Sequence, residues 1–105
     1  KGMMTSKTGT ATWYGADYHG RTMANGQIYN MYDPTIAASN LWPLGTSLRV
    51  SFESRTIQVV VVDRGAFTHE LDLSYIAFSQ LADPDIGVIE VNIEVIASPV
   101  ESYRP

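Results

Sequence analysis

Cysteine is absent from the 105-residue chain, which removes disulfide frameworks, thiol nucleophiles and zinc knuckles together. The two histidines, His19 and His69, stand fifty residues apart and supply no ligand spacing, so no metal and no other cofactor is expected. Positive charge is scarce as well. Seven Lys and Arg against eleven Asp and Glu leave a net charge of −4 and no basic stripe to follow phosphates, which excludes nucleic acid and anionic membrane surfaces as partners. No apolar run approaches the roughly 18 residues of a membrane span, so this domain is not expected to insert into a bilayer. Lys1-Gly2-Met3-Met4 carries no charged-then-apolar leader, and any export signal is expected to have been removed or never to have been present. Internal repeats and low-complexity segments are also missing.

What remains is an apolar chain: 45% hydrophobic and 17% charged residues point to one folded domain with a single core. Residues 1–8 and 98–105 are polar or proline-bearing and are expected to be loosely held, leaving a domain over residues 9–97. Strand signals dominate it. Ile89 to Ile96 alternates apolar and polar residues with a period of two, as a strand with one buried face requires. Ser47 to Phe52 alternates in the same way, and a Glu53-Ser54 turn leads into Thr56 to Val62, which predicts a hairpin. Its second arm holds Val59 to Val62, β-branched throughout, which suits a strand covered on both faces. Thr10 to Tyr14 and Ile36 to Ala38 are further short strands. Asn25-Gly26 and Trp42-Pro43-Leu44-Gly45 carry turn chemistry. Ser74 can cap a helix that runs through Leu81 and stops before Pro84, with Leu73 and Phe78 as a hydrophobic staple. Many short strands and little helix favour a small barrel or sandwich.

Within the apolar run VVVVDRGAF, Asp63 closes four valines, where desolvation penalises a charge and favours the protonated carboxyl. A turn-forming aspartate whose carboxylate accepts N–H bonds from Arg64-Gly65 would look the same, so the residues alone leave both roles open. Alternation turns neighbouring side chains to opposite faces, so Arg64 is expected to point away from Asp63. Asp72, two residues before the Ser74 cap, is either a helix-entry residue or a second site carboxylate. Histidines titrate near neutrality, yet His69 and His19 are each more often plain loop residues. Trp13, Tyr14, Tyr18, Tyr29, Trp42 and Phe67 offer flat rings that can stack on sugars, though strand alternation lets at most one of Trp13 and Tyr14 reach a ligand.

The blocks GTATWYGADYHGRTMANG, AASNLWPLGTSLRV, VVVVDRGAF and LDLSYIAFSQL, in this order, resemble the rare lipoprotein A family, and the segment from DRG to DLS is similar to the first domain of expansins. The resemblance implies a mainly β fold, a six-stranded double-psi β-barrel with one or two short helices. It further implies action on peptidoglycan or another cell-wall polysaccharide, as a lytic transglycosylase located outside the cytoplasm: periplasmic, outer-membrane-anchored or secreted. A monomer is expected. Such an enzyme uses the sugar's own hydroxyl as nucleophile, so one carboxyl can serve as acid and then as base. Asp63 matches the family's catalytic aspartate. Thr12, Tyr14, His19, Gln27, Ser39 and Asp72 are the expected substrate-binding residues. Two of them depart from the family pattern, which usually has Glu where Gln27 stands and His at the position of Ser39. Gln cannot exchange a proton. These departures keep a second function alive: a non-catalytic, expansin-like module that binds or loosens wall polysaccharide.

Overall fold

The computed structural model describes residues 6–99. Six strands make up most of this span: β1 (Ser6–Tyr14), β2 (Ile36–Ala38), β3 (Ser47–Phe52), β4 (Arg55–Asp63), β5 (Leu71–Ser74) and β6 (Ile89–Ala97). One helix, α1 (Tyr75–Ser79), and a 3₁₀ turn at Pro84–Ile86 complete them. The strands close in the order β1-β5-β2-β4-β3-β6. Closure leaves no sheet edge unpaired. Two of the pairings are parallel, β1 with β5 and β2 with β4, and the others are antiparallel. This is the double-psi β-barrel.

The strands follow the expected pattern closely. β3 and β4 form the hairpin over Glu53-Ser54, where Glu53 adopts a φ of 54° to turn the chain. β6 ends at Ala97, while β1 starts at Ser6, inside the stretch expected to be loosely held. Ser6 to Thr8 pair with Asn92 to Glu94 of β6. The rest of the two expected tails, residues 1–5 and 100–105, lies outside the described residues. β5 is an addition to the predicted strands. Leu71-Asp72-Leu73-Ser74 is too short for periodicity to separate it from a helix entry, and its pairing with β1 and β2 makes it a strand.

β4 is covered on both faces, as its valines predict. Val59 and Val61 enter the main core with Leu48, Val50, Leu71, Leu73, Phe78 and Ile93, while Val60 and Val62 pack on a second cluster built around Tyr14, Tyr29 and Met23. Each large aliphatic side chain fully withdrawn from water contributes about 1.5–3 kcal/mol. The strand therefore separates the barrel interior from a small outer core, and the functional site lies on the outer side.

α1 stops at Ser79, earlier than the expected Leu81. Its cap is the predicted Ser74, whose hydroxyl accepts from the Ala77 N–H at 3.1 Å and donates to the Asp33 carbonyl at 2.6 Å. Ser74 is fully buried, so both partners would be stranded without it. Ser74→Ala is expected to lower unfolding free energy by about 1–3 kcal/mol, more than an exposed cap would lose, as read from urea denaturation.

Candidate functional site

The site is set by register. Thr12 of β1 pairs with Asp72 of β5, Asp72 pairs with Ala38 of β2, and Ala38 pairs with Asp63 of β4, so four strands align these residues in one row. The last pairing depends on an irregularity. Ala37 faces Val61 and Ala38 faces Asp63, so the ladder skips Val62 and the bulge brings Asp63 level with Asp72.

A cavity of about 200 Å³ opens over this row, lined by Asp63, Asp72, Tyr14, Tyr18, Phe67 and the 64–66 loop. A second, shallower cavity of about 410 Å³ shares Tyr14, Tyr18 and Asp72 with it and extends to Trp13 and Asp17. The two adjoin at these shared residues and make up the groove. Trp13 packs on the main core and Tyr14 on the outer one, as alternation requires, yet both border the shallow part. Both rings therefore border the shallow cavity, although alternation sends them to opposite faces.

Asp63 is half-buried and held by three donors. Its Oδ1 accepts from the Ala24 and Arg64 N–H groups, each at 2.9 Å, and its Oδ2 lies 3.3 Å from the Tyr14 hydroxyl. With Oδ1 fixed by the backbone, exchange with a ligand falls to Oδ2. Tyr14 stacks on Tyr29 with ring centroids 4.0 Å apart, and the Tyr29 hydroxyl donates to the Tyr14 carbonyl. Burial, reinforced by the charge of Asp63, pushes the Tyr14 phenol far above its ordinary value. Tyr14 is therefore a hydrogen-bond donor across the physiological range and never a base. Arg64 turns away as expected, its Nη1 donating to the carbonyls of Ser39 at 2.7 Å and Trp42 at 2.6 Å. Among the described residues the ion pairs are Lys7 with Glu70 and Arg49 with Glu94, both away from the row.

Burial raises the carboxyl of Asp72 above its ordinary range, and the charge of Asp63 adds to the effect. The Thr12 hydroxyl, donating to Oδ1 at 3.0 Å, and the neighbouring His69 oppose it. Thr12 Oγ1 also lies 2.6 Å from His69 Nε2. Neither histidine is among the residues that line the two cavities. His19 accepts from the Met31 N–H at 3.1 Å and meets the Tyr32 ring edge-on, outside the groove lining, while His69 reaches the row through Thr12.

Ser39 and Gln27 are not among the residues that line the two cavities. Ser39 is fully buried, its hydroxyl donating to the Glu70 carbonyl at 2.9 Å and accepting from the Leu41 N–H at 3.1 Å. It fastens β2 to the loop before β5. The exposed Gln27 amide accepts from Asn25 Nδ2 at 2.9 Å and closes its own turn. That turn still matters, because Ala24 within it holds Asp63. Asn40 stood out by no signal in the chain: its side chain bonds Gly65 and Phe67 backbone groups and holds the 65–67 loop against the cavity. A Cβ on Gly65 would collide with the Phe67 ring, which explains Arg64-Gly65 after the strand.

Comparison with known proteins shows the family of the chain. A family model described as "Lytic transglycolase" matches residues 6–93. The chain belongs to this family. The endolytic peptidoglycan transglycosylase RlpA of Pseudomonas aeruginosa is 38% identical over 97 residues, a match that covers 89% of this chain and 28% of that protein. The chain thus spans under a third of that relative's length. Among solved structures, a Streptomyces papain inhibitor superposes with a TM-score of 0.73 at 27% identity, covering 89% of this chain and 96% of that one. A Clavibacter michiganensis expansin mutant in complex with cellohexaose superposes with a TM-score of 0.68 at 26% identity, covering 96% of this chain and 54% of that one. The resemblance to rare lipoprotein A proteins and to expansins therefore stands.

The buried carboxyl has a measurable consequence. Because the folded state binds the Asp72 proton more tightly than the unfolded chain does, its contribution to stability is complete at low pH and fades as pH rises from the ordinary carboxylate value through the raised one. Asp72→Asn removes that fall: urea denaturation at stepped pH is expected to give a flatter stability profile across this window than the unmodified protein.

Proposed function

We propose that this domain cleaves glycan strands of the bacterial cell wall as a lytic transglycosylase, outside the cytoplasm and as a monomer, with Asp63 as the single acid and base. The observation that carries it is the Asp63 carboxyl, pinned at Oδ1 by two backbone N–H groups, on a residue that lines a cavity of about 200 Å³. Family membership and the RlpA relative, named for endolytic peptidoglycan transglycosylase activity, support the same reading.

In the first step, protonated Oδ2 gives its proton to the glycosidic oxygen as the bond from C1 to that oxygen breaks. Positive charge develops on the sugar, and the Asp72 carboxylate, in the same row, is placed to stabilise it. A hydroxyl of the same sugar then closes on C1 and returns its proton to Oδ2. No water is consumed and the acid is restored, so one carboxyl suffices. Tyr14 holds Oδ2 in place by its hydrogen bond. Gln27 and Ser39 add no titratable acid, and in this reading Asp63 carries the proton in both directions.

A second reading is favoured by a specific observation: the groove runs past Asp63 along Tyr14, Tyr18 and Trp13, more ring surface than a single cleavage point needs. In that reading the domain binds wall polysaccharide without cutting it, as the expansin bound to cellohexaose binds a glucan.

Mass spectrometry of purified glycan strands separates the two. New ends lacking one water are expected with the unmodified protein and reduced by about a hundred- to ten-thousand-fold with Asp63→Asn. Intact strands, together with retention of the protein on insoluble wall material, would assign the binding module instead.

A further inference from the structure

Thr12 carries one hydroxyl proton and has two side-chain partners in reach, His69 Nε2 at 2.6 Å and Asp72 Oδ1 at 3.0 Å, with the Leu71 carbonyl at a longer 3.4 Å. A hydroxyl donates once and accepts through its lone pairs, so the two side-chain bonds cannot be set independently. If Nε2 bears a hydrogen, it donates to Thr12 and the Thr12 proton goes to an Asp72 carboxylate. If Nε2 is bare, it takes the Thr12 proton, and Asp72 must supply a proton of its own to Oγ1. We propose that His69 acts on the groove through this hydroxyl as a positioning residue, so that the proton on Nε2 decides whether Asp72 meets the glycan as a charged acceptor or as a neutral acid.

The two arrangements interconvert without movement of heavy atoms. Starting from the imidazolium, the Nε2–H bond breaks as that hydrogen bonds to Oγ1, the original Thr12 hydrogen passes to Oδ1, and the ring is left neutral with its hydrogen on Nδ1. One proton leaves His69, one arrives on Asp72, and Thr12 keeps its count. The half-buried imidazole, with the Phe67 ring 4.7 Å away, still reaches solvent and can refill or release the proton.

Other ionisable groups share the surroundings of Asp72. Tyr14 from β1 and Tyr29 behind it are phenols held neutral by burial. Asp63, at the end of β4, and Asp17, in the loop after β1, border the same cavities. Arg64 also lines the deeper one but gives Nη1 to the Ser39 and Trp42 carbonyls, and β2 contributes only Ala38. Among the described residues, Thr12 is the one side chain bonded to both Asp72 and another titratable group through the same atom. The effect of the relay on cleavage rests on the glycan-cleaving reading. The relay itself does not.

Carbon-13 detection of the Asp72 carboxyl across a pH titration tests it, with nitrogen-15 detection of the His69 ring in the same samples. In the unmodified protein the two signals are expected to respond to each other's protonation. Both Thr12→Val and His69→Phe are expected to move the Asp72 midpoint upward, since each removes a partner that favours the charged form, while amide spectra report an intact barrel. An Asp72 midpoint unmoved by His69→Phe would overturn the proposal, even if Thr12→Val shifts it. Glycan cleavage measured beside these titrations keeps the two questions apart: coupled signals without cleavage would fail the enzyme reading and leave the relay standing. Cleavage with an Asp72 signal blind to His69 would do the reverse.

Discussion

The skipped residue between β2 and β4 governs the site. Had the parallel ladder continued in register past Ala37 and Val61, Val62 would stand opposite Ala38 and the carboxylate would be carried one position further from the row. Period-two geometry makes such a slip decisive, because one residue exchanges the two faces of a strand. By passing over Val62, the bulge leaves that side chain in the outer core and sets Asp63 level with Asp72. The two carboxyls then meet because Ala38 is paired with both.

Around that row the protein treats its two acids differently. Asp63 is surrounded by donors that fix its orientation, two from the backbone and one from a stacked tyrosine. At Asp72 burial opposes the charge, and Thr12 with His69 restores part of it. The supports are themselves structural residues: Ser39 ties β2 to the loop before β5, and Asn40 ties the 65–67 loop to the end of β2. Similar barrels serve an expansin and a papain inhibitor, so the fold alone is permissive and chemistry resides in such local arrangements.

Much of this was legible in the chain. The alternation of Ser47 to Phe52 and Ile89 to Ile96, the valine run and the Ser74 cap each express a local rule that the tertiary fold obeys, and the ordered sequence blocks identified the family. Asp63, Tyr14, Thr12 and Asp72, all singled out from the sequence, lie together. Ser39 and Gln27 lie outside the cavity linings, since a residue's place in a motif says nothing of whether its side chain turns into a cavity or back onto the chain. His69 lies in a loop with no period to orient it, and its partner Thr12 is 57 residues away.

The sequence by itself determined the strand content, the hairpin, the helix cap and the family, because hydrophobic period and turn chemistry act over a few residues. Only the tertiary structure decided which residues became the site. Barrel closure, the bulge at Ala38 and the burial of Asp72 are long-range events, and the environment of a charged group depends on what the rest of the chain brings around it.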